Sequence, residues 1–187
     1  MNDVRQMDSE ELFKRFAPFV ARFLLRMGVR DTDLDDLLQD VFLVAHRNGG
    51  YRPGAASPAT YLANIAIHAT AAYRRKLKSR QRVEPNSIVI ERASGHERDP
   101  LQNLLHQIDV ACVKEALDTL DPKRRALFVL IEIEGESCVS VSAGLQIPLN
   151  TVYSRLRTAR ERFCKAARYQ VRKSEQTNLS SFPECVP

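Results

Sequence analysis

The sequence predicts an all-α chain of two small helical domains joined by a flexible linker. Three observations predict it. Apolar residues recur at three- and four-residue spacing through both halves, the period of helices with one buried face. Glycine is scarce, 7 in 187 residues, which disfavours a turn-rich β fold. Charge is partitioned: residues 1–82 carry 14 basic and 9 acidic side chains, 83–110 carry 2 and 5, and 111–187 carry 12 and 9. Two basic blocks thus flank an acidic middle, the distribution expected of two nucleic-acid surfaces and a connector. The boundaries that follow are 1–82, a linker over 83–107, a second domain over 108–169 and a polar, frayed tail over 170–187.

The first helix begins near Asp8 or Ser9. Leu12, Phe13, Phe16, Phe19, Val20, Phe23, Leu24 and Met27 form its apolar side. Pro18 inside that run predicts a kink or a new start, and Gly28 a left-handed terminus. The polar start Asp-Thr-Asp introduces a second helix with Leu34, Leu37, Leu38, Val41, Phe42 and Ala45 on one face. The segment NGGYRPGAASP is a loop by composition. A third helix runs from Pro58 to about Arg80, with Tyr61, Leu62, Ile65, Ala66, Ala69 and Tyr73 on its packing side. It ends in six Arg or Lys between 73 and 82.

Residues 83–100 lack a helical period, with an extended stretch expected at Ile88–Ile90. Helical patterning resumes over 101–120. Asp121-Pro122 then restarts a helix, with Asp as N-cap and Pro at the first helical position. The 122–134 helix is expected to bury Leu127, Phe128, Leu130 and Ile131. Two more helices, 137–145 and 149–169, are joined by Gln146-Ile147-Pro148, the layout of a helix-turn-helix. On the second of them Val152, Leu156, Ala159 and Phe163 repeat at four, three and four residues and face the core. Asn150, Thr151, Tyr153, Ser154, Arg155, Arg157, Thr158 and Arg160 turn outward. Arg takes guanine or phosphate bidentately, and Asn, Thr and Ser reach base edges or phosphates; an ordinary solvated helix carries the same pattern.

The basic run 74–82 has an equally plain reading as a solvated helix end. Tyr51, Arg52, Tyr61 and His68 precede it, and aromatics beside bases suit stacking on unpaired nucleotides with phosphate contact. Asp31-x-Asp33-x-Asp35 imitates the start of a calcium loop, but position six is Asp36 rather than Gly and position twelve is Phe42 rather than Glu. No metal site, cofactor site, phosphate loop or catalytic triad is expected, and no enzyme. Cys112, Cys138 and Cys164 read as small apolar residues in helices; Cys185 reads as an exposed tail thiol. No apolar run is long enough to span a bilayer, and no signal segment is present, so the expectation is a cytoplasmic protein without membrane insertion or small-molecule substrate.

Three segments together resemble the extracytoplasmic-function (group IV) sigma factors of bacterial RNA polymerase. Asp36-Leu-Leu-Gln39-Asp40-Val-Phe42 resembles the D-L-x-Q-[ED]-x-F helix of region 2. Tyr61-Leu62-Ala-Asn64-Ile65-Ala66, followed by Arg74-Arg75, resembles the W-L-x-x-I-A…R-R stretch that melts the −10 element. Leu120-Asp-Pro-Lys-Arg-Arg-Ala-Leu-Phe and Ile147-Pro-Leu-Asn-Thr151-Val-Tyr-Ser-Arg155-Leu-Arg-Thr-Ala-Arg160 resemble region 4. Together they cover roughly 8–82 and 108–168. The chain departs from the family pattern in places. The melting-helix Trp is Tyr61, the Asn after the Ile-Ala pair is His68, and the Gly of the turn is Gln146. The first helix of the helix-turn-helix is Cys138-Val-Ser-Val-Ser-Ala-Gly144, whose β-branched residues, serines and glycine form a helix poorly.

The resemblance implies a division of labour. Asp36, Gln39, Asp40 and Phe42 would bind core polymerase. Tyr51, Arg52, Tyr61, Asn64, His68, Arg74, Arg75 and Lys76 would hold the open −10 strand. Asn150, Thr151, Tyr153, Ser154, Arg155, Arg157 and Arg160 would read the −35 duplex. It implies core polymerase, promoter DNA and an anti-sigma factor as partners. The alternative that the residues leave open is a conventional helix-turn-helix regulator that binds duplex DNA without polymerase.

Overall fold

The computed structural model describes the backbone of residues 6–83 and 112–180, and side chains over 6–79 and 112–169. The acidic stretch expected as a linker, its extended segment at 88–90 and the start of the 101–120 helix lie outside the described residues, as does Cys185. Within them the chain is helical throughout, with one isolated antiparallel bridge between Met7 and Tyr51.

Helix α1 spans Ser9–Arg26, with Asp8 accepting the Glu11 N–H at 2.8 Å as its N-cap. Pro18 lies inside it without a restart: its missing N–H leaves one carbonyl of the preceding turn unbonded, and the exposed outer side absorbs the loss. Gly28 takes φ +85°, the left-handed conformation expected of it. A 3-10 turn at Asp31–Asp33 leads into α2, Leu34–Arg47. Gly49 and Gly50 (φ +77° and +80°) turn the chain so that Tyr51 pairs with Met7. Helix α3 spans Pro58–Val83, three residues longer than expected.

The three helices pack around Leu12, Val20, Phe23, Leu24, Val41, Ala45, Leu62, Ala63 and Ala66, all fully buried. Ala63 and Thr70 are buried though the apolar period does not flag them, while Tyr61, Ile65 and Ala69 are only half-buried. Small residues on this side of α3 let the helices approach closely.

The second domain opens with α4, described from 112 to 118, followed by α5, Pro122–Phe128. Asp121 caps α5, its carboxylate accepting the Arg124 N–H at 3.1 Å. The helix does not continue as α over 122–134. Val129–Ile133 is a π-helical turn, closed by the Glu134 N–H on the Val129 carbonyl at 3.0 Å. Leu127, Phe128 and Leu130 are buried as expected, Ile131 is half-buried, and Val129 and Arg125 are buried as well. Helix α6, Cys138–Gly144, does form, with the Ser137 hydroxyl accepting the Ser140 N–H at 3.1 Å. Helix α7 runs Leu149–Ser180 without the expected end near 169. Residues 170–180 contain neither Gly nor Pro and are rich in Gln, Lys, Arg and Glu, so nothing in them stops the helix.

The Asp121 cap has a pH signature. Burial works against its charge, but the Arg124 side chain, the N–H groups of Arg124 and Lys123 and the Arg124 charge together hold the carboxyl below the ordinary carboxylate range. A depressed carboxyl stabilises the fold above its unfolded value, and that contribution disappears as pH falls through the folded value. Asp121→Asn keeps a capping oxygen but not the charge, and is expected to flatten the acid limb of a thermal-melt series. Asp121→Ala is expected to lower stability by about 1 kcal/mol at neutral pH.

Candidate nucleic-acid interface

The outer side of α2 carries Asp36, Gln39 and Asp40, all exposed, on a ridge between two grooves. One groove, of about 510 Å³, runs between α1 and α2 and is lined by Phe13, Leu38, Gln39, Phe42, Leu43 and His46. Phe13 is 48 % exposed and meets Phe42 edge to face, ring centroids 5.0 Å apart. Phe42 is buried, so it forms the groove floor rather than the contact surface its motif implied. The other groove lies between α2 and α3, with Asp36 and Asp40 on one wall and Lys76 on the other. Its end is fixed by Tyr73, whose hydroxyl donates to Asp33 at 2.8 Å. Burial, with that bond, raises the Tyr73 phenol above its ordinary value.

The residues expected on the −10 side divide into two groups. Arg52, His68, Arg75 and Lys76 are exposed, and Asn64 is half-buried. Tyr51 is a correction: it is 2 % exposed, its hydroxyl donates to the Ala56 carbonyl at 2.7 Å, and its backbone pairs with Met7. It therefore shapes the loop and is not presented for stacking. Its ring lies 5.9 Å from that of Tyr61. Arg74 also turns inward, donating to the Met27 carbonyl at the end of α1. Burial and then the neighbouring Arg125 charge lower its pKa.

The recognition helix follows the expected rotation. Val152, Leu156 and Ala159 are buried, and half-buried Phe163 stacks on Phe128 at 4.4 Å. Asn150, Tyr153, Ser154, Arg157 and Arg160 are exposed; Thr151 and Arg155 are partly so. Arg160 is held by Glu132 through Nε at 3.0 Å and Nη2 at 2.6 Å, which raises its pKa, and Arg157 by Glu161 at 3.2 Å. Gln146, at the family's glycine position, stands at φ +53°. A side chain there costs about 1–2 kcal/mol, and the Ile147 N–H bonded to the Ser142 carbonyl at 3.1 Å with the Ser142 hydroxyl on the Ile147 carbonyl at 2.7 Å hold the turn. Cys164 is exposed rather than packed, whereas Cys112 and Cys138 are half-buried.

Sequence reasoning missed Arg125. It is 4 % exposed, with Nε donating to the Arg26 carbonyl and Nη1 to Asp118. In the basic run Lys123-Arg124-Arg125 nothing marks one Arg as buried.

Residues 12–80 match the sequence model of Sigma-70 region 2, and residues 111–163 that of Sigma-70 region 4. The chain is 30 % identical over 154 residues to the ECF RNA polymerase sigma factor SigE of Mycolicibacterium smegmatis, covering 81 % of this chain and 58 % of that protein. It is 26 % identical over 161 residues to SigM of Mycobacterium tuberculosis, covering 86 % and 77 %. It is 30 % identical over 143 residues to the RNA polymerase sigma-H factor of Pseudomonas aeruginosa, covering 72 % of each. The fold matches the sigma factor RpoE of Bartonella quintana, solved with the anti-sigma factor NepR (TM-score 0.67, 20 % identity, 85 % of this chain and 96 % of that one). It also matches CnrH, solved with the cytosolic domain of CnrY (TM-score 0.57, 22 % identity, 84 % and 85 %). The chain belongs to the extracytoplasmic-function branch of the RNA polymerase sigma factors. No described helix is long and apolar enough to cross a membrane.

Proposed function

We propose that this chain binds bacterial RNA polymerase core and directs promoter-specific initiation, leaving the chemistry to the polymerase. The observation that carries this reading is the exposed Asp36-Gln39-Asp40 ridge, flanked by an apolar groove, on the same chain as a basic helix-turn-helix. A conventional regulator needs the second feature and has no use for the first. The ridge and its grooves suit a partner helix that places apolar side chains beside Phe13 and Leu43 and basic ones beside Asp36 and Asp40.

In this reading α3 and the loop before it hold the open −10 strand, and α7 enters the −35 major groove. Extruding a base costs about a few kcal/mol; Arg52, His68, Arg75 and Lys76 offset part of that through phosphates. An anti-sigma factor is a further proposed partner, since RpoE of Bartonella quintana, a structural relative, was solved with one.

The test is run-off transcription with bacterial core polymerase, this chain and a pool of genomic promoter fragments. Specific transcripts that need the chain support the reading. No core binding and no transcripts, beside retained duplex binding, would overturn it in favour of the conventional regulator. Among the recognition residues Arg155 carries no ion pair within the described residues, whereas Arg160 must leave Glu132 first. Arg155→Ala is therefore expected to weaken −35 binding by about 1–3 kcal/mol, read as loss of footprint protection there with −10 opening unchanged once bound.

A further inference from the structure

The two domains touch through a built polar interface, and it covers part of the −10 surface. Glu136, just before α6, accepts hydrogen bonds from Ser57 Oγ at 2.7 Å and Thr60 Oγ1 at 3.1 Å, both at the start of α3. Ser140 of α6 accepts the Ser57 N–H at 2.9 Å, and its hydroxyl lies 2.9 Å from that of Thr60. Thr60 is fully buried. Gly144, one helical turn beyond Ser140, lies so close that an added Cβ would overlap the Thr60 methyl and press on Ala56. Glu136, Ser140 and Gly144 are four residues apart each, so they form one stripe. This accounts for the unusual composition of α6: the serine and the glycine serve the contact between domains.

A second seam lies at the end of α1. Glu134 pairs with Arg26 and reaches Arg22 at 3.9 Å. Arg125, from the second domain, donates to the Arg26 carbonyl, while Arg74 of α3 donates to the adjacent Met27 carbonyl. The Arg74–Met27 bond lies within the first domain and holds whether or not the second domain is docked. The closed arrangement stands α6 against the start of α3, at Ser57 and Thr60. The fit is incomplete: the Tyr61 hydroxyl and Arg125 Nη2 are buried with no hydrogen-bond partner among the described residues. Buried polar groups left unpaired oppose closure. The interface is therefore suited to opening.

We infer that the α6–α3 contact is an autoinhibitory latch, in which the helix-turn-helix domain sits on the −10 surface of its own chain until the domains are separated. The inference rests on the proposed −10 role of α3. In the closed state the start of that surface, at Ser57 and Thr60, is covered. Separation releases Ser57 and Thr60 together.

The test uses Gly144→Ala in the full chain. Alanine favours helix over glycine, so the variant keeps or improves α6, while its methyl wedges against Thr60. Thr60→Ser removes the methyl it strikes and is the matched rescue. Small-angle scattering of the free chains is expected to show an upward shift in radius of gyration for Gly144→Ala and a return toward wild type for Gly144→Ala/Thr60→Ser. Binding of a fluorescein-labelled single-stranded DNA of mixed sequence is expected to tighten several-fold in the wedge variant and relax again in the rescued one. An unchanged radius would show that the free chain is not held closed and would overturn the latch. A larger radius with unchanged DNA affinity would show a contact without inhibition, overturning it equally. Failure of the sigma-factor reading is separate: it appears as no core-dependent transcript from wild type, whatever the radius does.

Discussion

Alanine at Asp36, Gln39 and Asp40 together is expected to abolish core-dependent transcripts while the chain stays folded. All three side chains are exposed on the outer side of α2. Asp36 lies in the first turn, where its charge favours the helix dipole, so the triple variant should lose no more than about 1 kcal/mol of stability. Binding is another matter. Each charged or polar contact at a partner surface is worth about 1.5–3 kcal/mol, so losing three amounts to roughly a thousand-fold or more in affinity. Titration of labelled core polymerase, beside a thermal melt, separates the two effects. Full core affinity in the variant would remove this ridge from the interface. A collapsed melt would show that the ridge carries the fold.

The second large effect is in the core. Leu62 sits in the second turn of α3, which packs on α1 and α2, and is fully buried. Leu62→Ala leaves a cavity lined by helices that cannot all move inward, and the expected cost is about 2–5 kcal/mol. For a domain of this size that corresponds to a Tm drop of roughly 10 °C or more. The loss should fall most heavily on the first domain, because Leu62 lies among α1–α3 while Leu127, Leu130 and Val152 occupy the second domain's end of the same core cluster. Deuterium exchange resolved by helix checks this: α1–α3 should open faster while α5 and the first turns of α7 keep their protection. An unaltered melt would mean that Leu62 is not the packing centre.

Much of this fold was legible because helices declare themselves by period. The capped starts at Asp8 and Asp121, the left-handed Gly28 and the Val152–Phe163 stripe all follow from rules that act within a few residues of sequence. What stayed illegible depends on contacts between distant parts. Phe13 shares the apolar pattern of α1 but ends in an open groove, because that pattern is wider than the face the other two helices cover. Tyr51 looks like a stacking residue in a loop, yet pairing with Met7 draws it inside. Arg125 and Arg74 cap the end of α1 from two different domains, an arrangement no local rule encodes. The Ser57–Thr60–Glu136–Ser140 cluster joins polar residues some eighty positions apart. The site fared similarly: exposed ridge and recognition residues lie where their spacing put them, whereas Tyr51 and Arg74 are drawn inward by distant backbone of their own domain.

The π turn at Val129–Ile133 takes up one residue more than an α-helical turn would. Deleting one residue there would close an i→i+5 turn to an i→i+4 turn, and the residues on either side would keep nearly their present rotational phase. The change would be felt inside the turn, where Glu132 holds its angle toward Arg160. A one-residue deletion at this place is thus tolerable to the helices around it, whereas the same deletion in a regular stretch of α1 or α7 would turn every later side chain by about 100°. Length variation among relatives should therefore gather at this turn and be purged from the regular helices.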